Sequence, residues 1–163
     1  MRYLITGHTG FKGAWLAAIL KTQGHELVGI SLPPLDKSLY KEAALSDLFD
    51  QEYFIDIRNR EEFTKAVKES GADVAFHLAA QPLVRESYKF PIETFETNVI
   101  GTLNFLDGIK NSDISAGLVI TTDKVYKNKK LWMNLTSVSR QFIKLKFRAN
   151  LIDAILSAWV TCK

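Results

Sequence analysis

Short apolar runs alternate with segments of helical periodicity from residue 2 to residue 121. Each apolar run is rich in β-branched and aromatic residues and ends at glycine, proline or polar residues, which is typical of buried parallel strands. The runs predict five strands, at residues 2–6, 26–32, 53–55, 74–78 and 118–121. Apolar residues spaced by three and four predict helices at residues 11–23, 39–49, 60–69 and 91–110. Because strand and helix alternate throughout, the pattern predicts right-handed crossovers and an α/β, doubly wound parallel sheet covered on both faces.

The same periodicity predicts an apolar face for each of three helices. In chain order these faces are Phe11, Trp15, Leu16, Ile19 and Leu20; Phe63, Ala66 and Val67; and Phe95, Val99, Leu103 and Leu106. Gly24 stands where a C-terminal glycine cap of the first helix belongs. Pro91 is favoured in a first helical turn and predicts where the long helix begins.

The composition is that of an ordinary globular domain. The chain has 163 residues, of which 47% are apolar and 24% charged, so disordered and fibrous classes are excluded. No apolar run approaches the roughly 20 residues of a membrane span, and the N-terminal residues do not resemble a secretory signal. Cys162 is the single cysteine, so no disulfide framework or thiolate metal cluster is expected and a cytoplasmic location is favoured.

The charge is unevenly distributed along the chain. Residues 1–123 hold 12 Lys and Arg against 17 Asp and Glu, a net charge of −5, whereas residues 124–163 hold 9 against one, a net of +8. A basic arm for nucleic acid or acidic lipid is one interpretation, although nucleic acid is ranked low. The other is a tail whose origin differs from that of the body. Residues 142–159 could still form an amphipathic helix that covers a sheet edge.

A glycine-rich loop lies between the first strand and the first helix. Residues 7–13 (GHTGFKG) have the pattern G-x-x-G-x-x-G. In this context the first glycine permits a tight turn, the second lets the backbone approach a diphosphate, and the third allows helix and strand to pack closely. The positive end of the helix then attracts the diphosphate. We therefore predict a Rossmann-like fold, truncated after about five strands, with a dinucleotide site at this loop. The predicted cofactor contacts include Gly7, Thr9, Gly10, Phe11, Lys12 and Gly13.

The choice between NAD and NADP depends on the end of the second strand. An acidic residue that binds the adenosine ribose is usual there, but this chain has Ser31 and its nearest carboxylate is Asp36. No arginine stands there to bind a 2′-phosphate, so NAD is favoured. Asp56 and Ile57 follow the third strand and are predicted to meet the adenine. A helix N-cap is an equally good interpretation of Asp56.

Four segments resemble the extended short-chain dehydrogenase/reductase family, in particular its nucleotide-sugar dehydratases. They occur in the family's order and cover residues 1–128. The segments are residues 5–13 (ITGHTGFKG), 77–85 (HLAAQPLVR), 97–102 (TNVIGT) and 121–126 (TTDKVY). In the last motif, one branch of these dehydratases usually has Asp-Glu at the two positions that are Asp123 and Lys124 in this chain. Lys124 therefore distinguishes this chain from that branch.

The resemblance implies a reaction and residues for it. These enzymes oxidise a sugar at C4 with bound NAD, eliminate water across C5–C6 and return the hydride to C6. Leu78, Ala79 and Ala80 are implied to line the cofactor cleft, and His77 is interpreted as a buried core histidine.

The resemblance also implies a catalytic set. Asn98 would support the active site from the long helix, although it could instead tie that helix to a loop. Thr122 would bind the C4 oxygen and Asp123 would protonate the departing C6 hydroxyl. Lys124 stands at the position of the C5 base, which requires a depressed pKa. For Thr122 and Asp123, a strand-ending turn is the alternative.

The family's central catalyst, a Tyr-x-x-x-Lys pair on a later helix, is missing. No tyrosine follows Tyr126. Tyr126 and Lys130 have the spacing, but they belong to the preceding motif, and we interpret the match as accidental. The sequence thus predicts an NAD-binding part at residues 1–128 and a basic tail at 129–163, together inactive as a dehydratase. A non-catalytic NAD-binding or interaction module is the alternative. The expected partners are a nucleotide sugar and a second copy bound through residues 91–110, with no membrane and no metal.

Overall fold

The computed structural model describes residues 1–121 and the backbone of residues 142–145. The strands are β1 (Arg2–Thr6), β2 (Glu26–Ser31), β3 (Gln51–Phe54), β4 (Val74–His77), β5 (Ala116–Ile120) and β6 (Phe142–Leu145). The α-helices are α1 (Phe11–Thr22), α2 (Leu39–Glu42), α3 (Arg60–Glu69), α4 (Val84–Lys89), α5 (Pro91–Phe95) and α6 (Gly101–Lys110). A 3₁₀ turn (Leu45–Leu48) follows α2, and a π-helical turn (Glu96–Ile100) joins α5 to α6.

The strands form one sheet in the order β3-β2-β1-β4-β5-β6. The first five strands are parallel, which confirms the doubly wound α/β fold predicted from the alternating pattern. β1 lies at the centre, and Thr6 at its carboxyl end pairs with Ile30 of β2 on one side and His77 of β4 on the other. The loops that follow β1, β2 and β4 therefore meet at one edge of the sheet.

The sixth strand corrects one expectation about the tail. The five parallel strands are those predicted, but where a helix over residues 142–159 was considered, Phe142–Leu145 is a strand that pairs antiparallel with β5. The helix prediction is wrong for these four residues, and the rest of 146–159 lies outside the described residues. The physical reason is the open edge of β5, whose N–H and C=O groups a strand can pair and a helix cannot. The division at residue 128 remains a prediction.

One face of the sheet is closed by α3 and α6. Phe63, Ala66 and Val67 of α3 are buried against it, as the periodicity predicted. Along β4 and β5, burial alternates with the pleat. The buried positions are Ala75, His77, Gly117 and Val119, whereas the half-buried positions are Val74, Phe76, Leu118 and Ile120. Among the described residues, the face of β4 and β5 on the α1 side is thus only partly covered.

Helix α1 packs on the sheet through small residues rather than through its largest ones. Gly13, Ala14, Ala17 and Leu20 are buried, and the small side chains let the helix axis approach the strands. The apolar residues Phe11, Trp15 and Ile19 are instead more than half exposed. The periodicity of large apolar residues therefore located the helix correctly and indicated its buried face only in part, since Leu20 is buried and Leu16 packs against the core.

The helix predicted at 91–110 is present as three consecutive helical segments. It begins at Pro91 in the first turn, as expected. The π-helical turn contains Asn98, and such turns occur frequently at functional sites. Val99 and Leu106 are buried, but Phe95 is 39% exposed. The short helix α4 before it was not predicted.

Candidate cofactor-binding site

Two glycines allow the loop after β1 to close tightly. Gly7 has φ +75°, and a Cβ there would lie 2.7 Å from the backbone nitrogen of Ala79. A Cβ on Gly13 would lie 2.7 Å from His8 Cα, so only glycine lets α1 pack directly over the turn. Both positions require glycine for the reasons that the motif predicted.

Gly10 is less tightly enclosed than Gly7 and Gly13. A Cβ there would meet one backbone atom, Gly7 O, at the tight distance of 3.3 Å. Gly10 is the N-cap of α1, and no side chain caps the helix. The first amides of α1 therefore remain available to an anion at the positive end of the helix. A diphosphate fits this cradle, and Lys12 in the first turn is exposed beside it.

Thr9 joins the glycine loop to the end of β2. Its hydroxyl lies 2.7 Å from Ser31 Oγ and donates to Leu32 O at 3.1 Å. Ser31 stands where a ribose-binding acid is usual, and its hydroxyl lies against that of Thr9. Asp36 is exposed and pairs with Lys41, whose hydrogen bond lowers the pKa of the Asp36 carboxyl. The ribose side of the site thus presents the hydroxyl groups of Thr9 and Ser31.

Asp56 binds Arg58 rather than capping a helix. Its carboxylate accepts bonds from the guanidinium at 2.6 and 2.9 Å, and this pairing lowers its pKa. The N-cap of α3 is Asn59, so the capping interpretation of Asp56 is wrong. The Ile57 side chain is buried in the core against Gly101. A role for Asp56 and Ile57 at the adenine stays a prediction.

The loop after β4 lies directly against the glycine loop. Leu78 N donates to Thr6 O at 3.0 Å, and Ala79 N donates to Thr6 Oγ1 at 3.4 Å. Ala79 is also the residue that a side chain on Gly7 would strike. The structure therefore brings Leu78 and Ala79 beside the predicted diphosphate cradle, and Ala80 is exposed next to them.

His77 is buried and uses both ring nitrogens. Thr102 Oγ1 donates to Asn98 O at 2.7 Å, so it accepts from His77 Nε2 at 3.2 Å, and Nδ1 accepts from Thr6 Oγ1 at 2.7 Å. Burial lowers the pKa of His77 to about 3, so the ring is neutral. The interpretation as a satisfied core histidine fits these contacts, which also fix its tautomer.

Asn98 holds the loop after β4 in place. Its side-chain amide bonds both main-chain polar atoms of Gln81. The Gln81 side chain in turn donates to Thr94 Oγ1 at 3.0 Å. Asn98 therefore ties the long helix to this loop. A role in supporting the active site from there stays a prediction.

His8 and Glu52 are a buried pair that the sequence patterns did not indicate. His8 Nε2 donates to Glu52 Oε1 at 2.8 Å, and the His8 side chain has no exposed surface. Burial lowers the pKa of His8, although the neighbouring Glu52 acts in the opposite direction. The available signal was a histidine inside a glycine loop, where small or hydroxylated residues would suffice.

The predicted catalytic residues Thr122, Asp123 and Lys124 lie outside the described residues, as do Tyr126 and Lys130. β5 ends at Ile120, at the same edge of the sheet as the glycine loop. In residues 1–121 and 142–145, no helix is long and apolar enough to cross a membrane. No cluster of three metal-binding side chains is found in that same part of the chain.

The chain belongs to the NAD dependent epimerase/dehydratase family, which it matches over residues 3–139. It is 43% identical over 130 residues to CDP-glucose 4,6-dehydratase of Salmonella typhimurium strain LT2, covering 78% of this chain and 36% of the relative. It is 34% identical to CDP-paratose 2-epimerase of Salmonella typhi, covering 77% and 38%. The chain thus spans little more than a third of these relatives.

Solved structures agree with the fold. UDP-glucose-4-epimerase of Stenotrophomonas maltophila, with bound NAD and formylated UDP-arabinopyranose, superposes with a TM-score of 0.68 at 25% identity. The match covers 81% of this chain and 40% of that one. The resemblance inferred from four short motifs is therefore confirmed at the level of the family.

Proposed function

We propose that this chain is the NAD-binding part of a nucleotide-sugar 4,6-dehydratase that acts on CDP-glucose. The observation that carries the proposal is the Gly7–Gly10–Gly13 cradle at the uncapped N-terminus of α1. Its close approaches require glycine at both ends, while Gly10 in the middle has a single close backbone neighbour, Gly7 O. That combination fits a diphosphate bound by main-chain amides.

Bound NAD would supply a hydride acceptor that takes the hydrogen from sugar C4 and later returns it to C6. The residues of this chain would bind NAD and position the loops around it. The first amides of α1 hold the diphosphate, the Thr9 and Ser31 hydroxyls face the ribose side, and Asn98 holds the loop that begins at Gln81. By resemblance, Thr122 binds the C4 oxygen and Asp123 gives a proton to the departing C6 hydroxyl.

The choice of CDP-glucose rests on two supports. CDP-glucose 4,6-dehydratase is markedly more similar to this chain than the epimerase from Salmonella typhi, at 43% against 34% identity over the same share of the chain. Lys124 beside Asp123 also favours it over the branch with Asp-Glu. The substrate's base would be bound by regions that lie beyond the match.

We further propose that the sequence as given does not complete the reaction. It lacks a Tyr-x-x-x-Lys pair after Tyr126, and a general base typically contributes about 10²- to 10⁴-fold to rate. A non-catalytic NAD-binding module is the second candidate. It is favoured because the chain has all three glycines of the cofactor cradle but lacks the Tyr-x-x-x-Lys pair that the reaction needs.

Calorimetric titration with NAD tests the proposal. We expect saturable binding of NAD and weaker binding of NADP, since Thr9 and Ser31 offer hydroxyl groups and no positive charge to a 2′-phosphate. Binding of neither nucleotide by folded protein would contradict the proposal. Cytoplasmic location and a homodimer through residues 91–110 are further proposals. The exposed Ile92, Phe95 and Ile100 support the dimer, and light scattering behind size-exclusion chromatography tests it.

A further inference from the structure

The His8 side chain points away from the cofactor cradle, into the protein. Its ring lies over Gly29, where a Cβ would be 2.6 Å from ring atoms. Phe49 and Tyr40 pack against the ring, with centroid distances of 4.7 and 5.6 Å. His8 therefore cannot touch a nucleotide through its side chain. Any effect on the cofactor must pass through its backbone.

That backbone is the centre of the glycine loop. His8 follows Gly7, whose φ is +75°, and its Cα is what a side chain on Gly13 would strike. Thr9 on its other side reaches the end of β2. A displacement of His8 would consequently move the turn, the start of α1 and the contact with Ser31 together.

One carboxylate connects His8 to three other parts of the fold. Glu52 Oε1, on β3, accepts from His8 Nε2 and from the Tyr40 hydroxyl of α2, and Oε2 accepts from Ser46 Oγ at 2.6 Å. The Glu52 side chain is 13% exposed. A carboxylate that is largely removed from water needs such donors. Because all three bond the same carboxylate, a shift of one donor would move Glu52 and disturb the other two bonds.

The segment that supplies two of these donors contains a strained residue. Ala44, between α2 and the 3₁₀ turn, has φ +48°, a conformation that a residue with a side chain adopts only when its surroundings enforce it. The bonds from Tyr40 and Ser46 to Glu52 lie on either side of Ala44. They hold the residues that flank Ala44 and connect the segment to the glycine loop through His8.

We propose that His8 and Glu52 form a buried clamp that holds the glycine loop in its cofactor-binding conformation, with Tyr40 and Ser46 completing the clamp. His8 and Glu52 are positioning residues, since neither reaches the cradle. This inference rests on the proposed NAD site and deepens it, because cofactor affinity becomes dependent on the segment at residues 39–48.

Two variants test the clamp, each with little change of shape. Glu52→Gln replaces one acceptor oxygen by a donor that opposes the existing donors. Tyr40→Phe removes one hydroxyl and leaves the ring in place. Tyr53→Phe is the matched control, because Tyr53 is the next residue on β3 and its hydroxyl accepts from Gln51 and donates to Glu69 rather than to Glu52.

The first readout is NAD affinity in the full chain, and the second is amide hydrogen exchange of residues 7–13 without nucleotide. Loss of a hydrogen bond to a charged group predicts NAD binding at least about tenfold weaker in Glu52→Gln. In Tyr40→Phe it should be several-fold weaker, with Tyr53→Phe like wild type. Exchange at residues 7–13 should accelerate in both clamp variants, ahead of exchange in the α3 and α6 core.

Wild-type affinity and wild-type loop exchange in folded Tyr40→Phe and Glu52→Gln would overturn the clamp. Uniform acceleration across the whole chain would overturn it too, since that indicates general destabilisation. If Glu52→Gln does not fold, Tyr40→Phe against Tyr53→Phe decides. If the wild type binds no NAD, the proposed function fails, while the exchange comparison still judges the clamp.

Discussion

Asn98 holds Gln81 by both of its main-chain polar atoms: Asn98 Oδ1 accepts from Gln81 N at 2.8 Å, and Asn98 Nδ2 donates to Gln81 O at 3.1 Å. This two-point contact joins the π-helical turn to the loop that follows β4. Since that loop also contacts the glycine loop through Ala79, the contact sets the spacing between the long helix and the cofactor cradle.

Replacing Asn98 with alanine should leave both Gln81 groups without their partner. We expect the free energy of unfolding to fall by about 1–3 kcal/mol and the Gln81 amide to exchange faster. Asn111→Ala is the control, because the Asn111 side chain bonds only its own helix at an exposed site. Urea unfolding curves measure both variants. Equal stabilities would show that the Asn98 contact contributes nothing.

Two glycine substitutions should separate folding from binding. Gly10→Val places its side chain in the cradle against Gly7 O, so we expect loss of NAD binding with a smaller fall in melting temperature than Gly7→Ala causes. Gly7→Ala forces φ +75° on a residue with a Cβ and strikes Ala79, which should cost at least about 1–2 kcal/mol of stability. Calorimetry with NAD and thermal unfolding provide the comparison. NAD binding by Gly10→Val as tight as that of wild type would refute the site.

The buried His77 should make stability dependent on pH. Its pKa is about 3 in the folded chain, whereas the unfolded chain takes up a proton near the ordinary histidine pKa of about 6.5. Between these values the unfolded state binds more protons, so stability falls as pH drops from about 6.5 toward 3. Burial of His8 acts in the same direction. Carboxylates that are paired in the fold also make stability fall at low pH, so the pH dependence of stability does not isolate His77. The direct measurement is the NMR titration of the His77 ring. A His77 midpoint near 6.5 in folded protein would contradict the prediction.

Removing β6 should weaken the sheet. A chain that ends at residue 141 exposes the edge of β5, whereas a chain that ends at residue 145 keeps the strand. We expect the shorter chain to melt at least about 4 °C lower and to aggregate more readily, because an open edge pairs with other chains. Circular dichroism and light scattering on the two truncations test this. Identical behaviour of the two would mean that residues 142–145 add nothing to the sheet.

Purified alone, this chain should not dehydrate CDP-glucose. Elimination requires the C4 ketone, and no residue of the family's Tyr-x-x-x-Lys pair is available to form it. A missing general base typically lowers a rate by about 10²- to 10⁴-fold, and the chain spans little more than a third of its relatives, so we expect a rate below detection. The assay is absorbance of the 4-keto-6-deoxy product in alkali after incubation with NAD. Product formation that is lost in Tyr126→Phe would instead identify Tyr126 and Lys130 as the working pair.

The sequence by itself determined the order of elements and the place of the cofactor loop. Both are local properties: a strand or helix shows its period within a few residues, and the three glycines lie within the seven residues 7–13, where Gly7 and Gly13 are required by the close packing of a single turn. That is why α3, with Phe63 and Val67 inward, could be predicted with its correct face. The family could be inferred for a related reason, since each motif is contiguous.

Only the tertiary structure decided the features that join distant parts of the chain. His8 bonds a carboxylate 44 residues away, and no local pattern relates the two. α1 buries Ala14 and Ala17 while Trp15 is exposed, because close packing on a sheet selects small side chains over the most apolar ones. Phe142–Leu145 is a strand because the edge of β5 offers unpaired backbone groups. Each of these features depends on what a segment contacts after folding. The periodicity of residues along the chain does not contain that information.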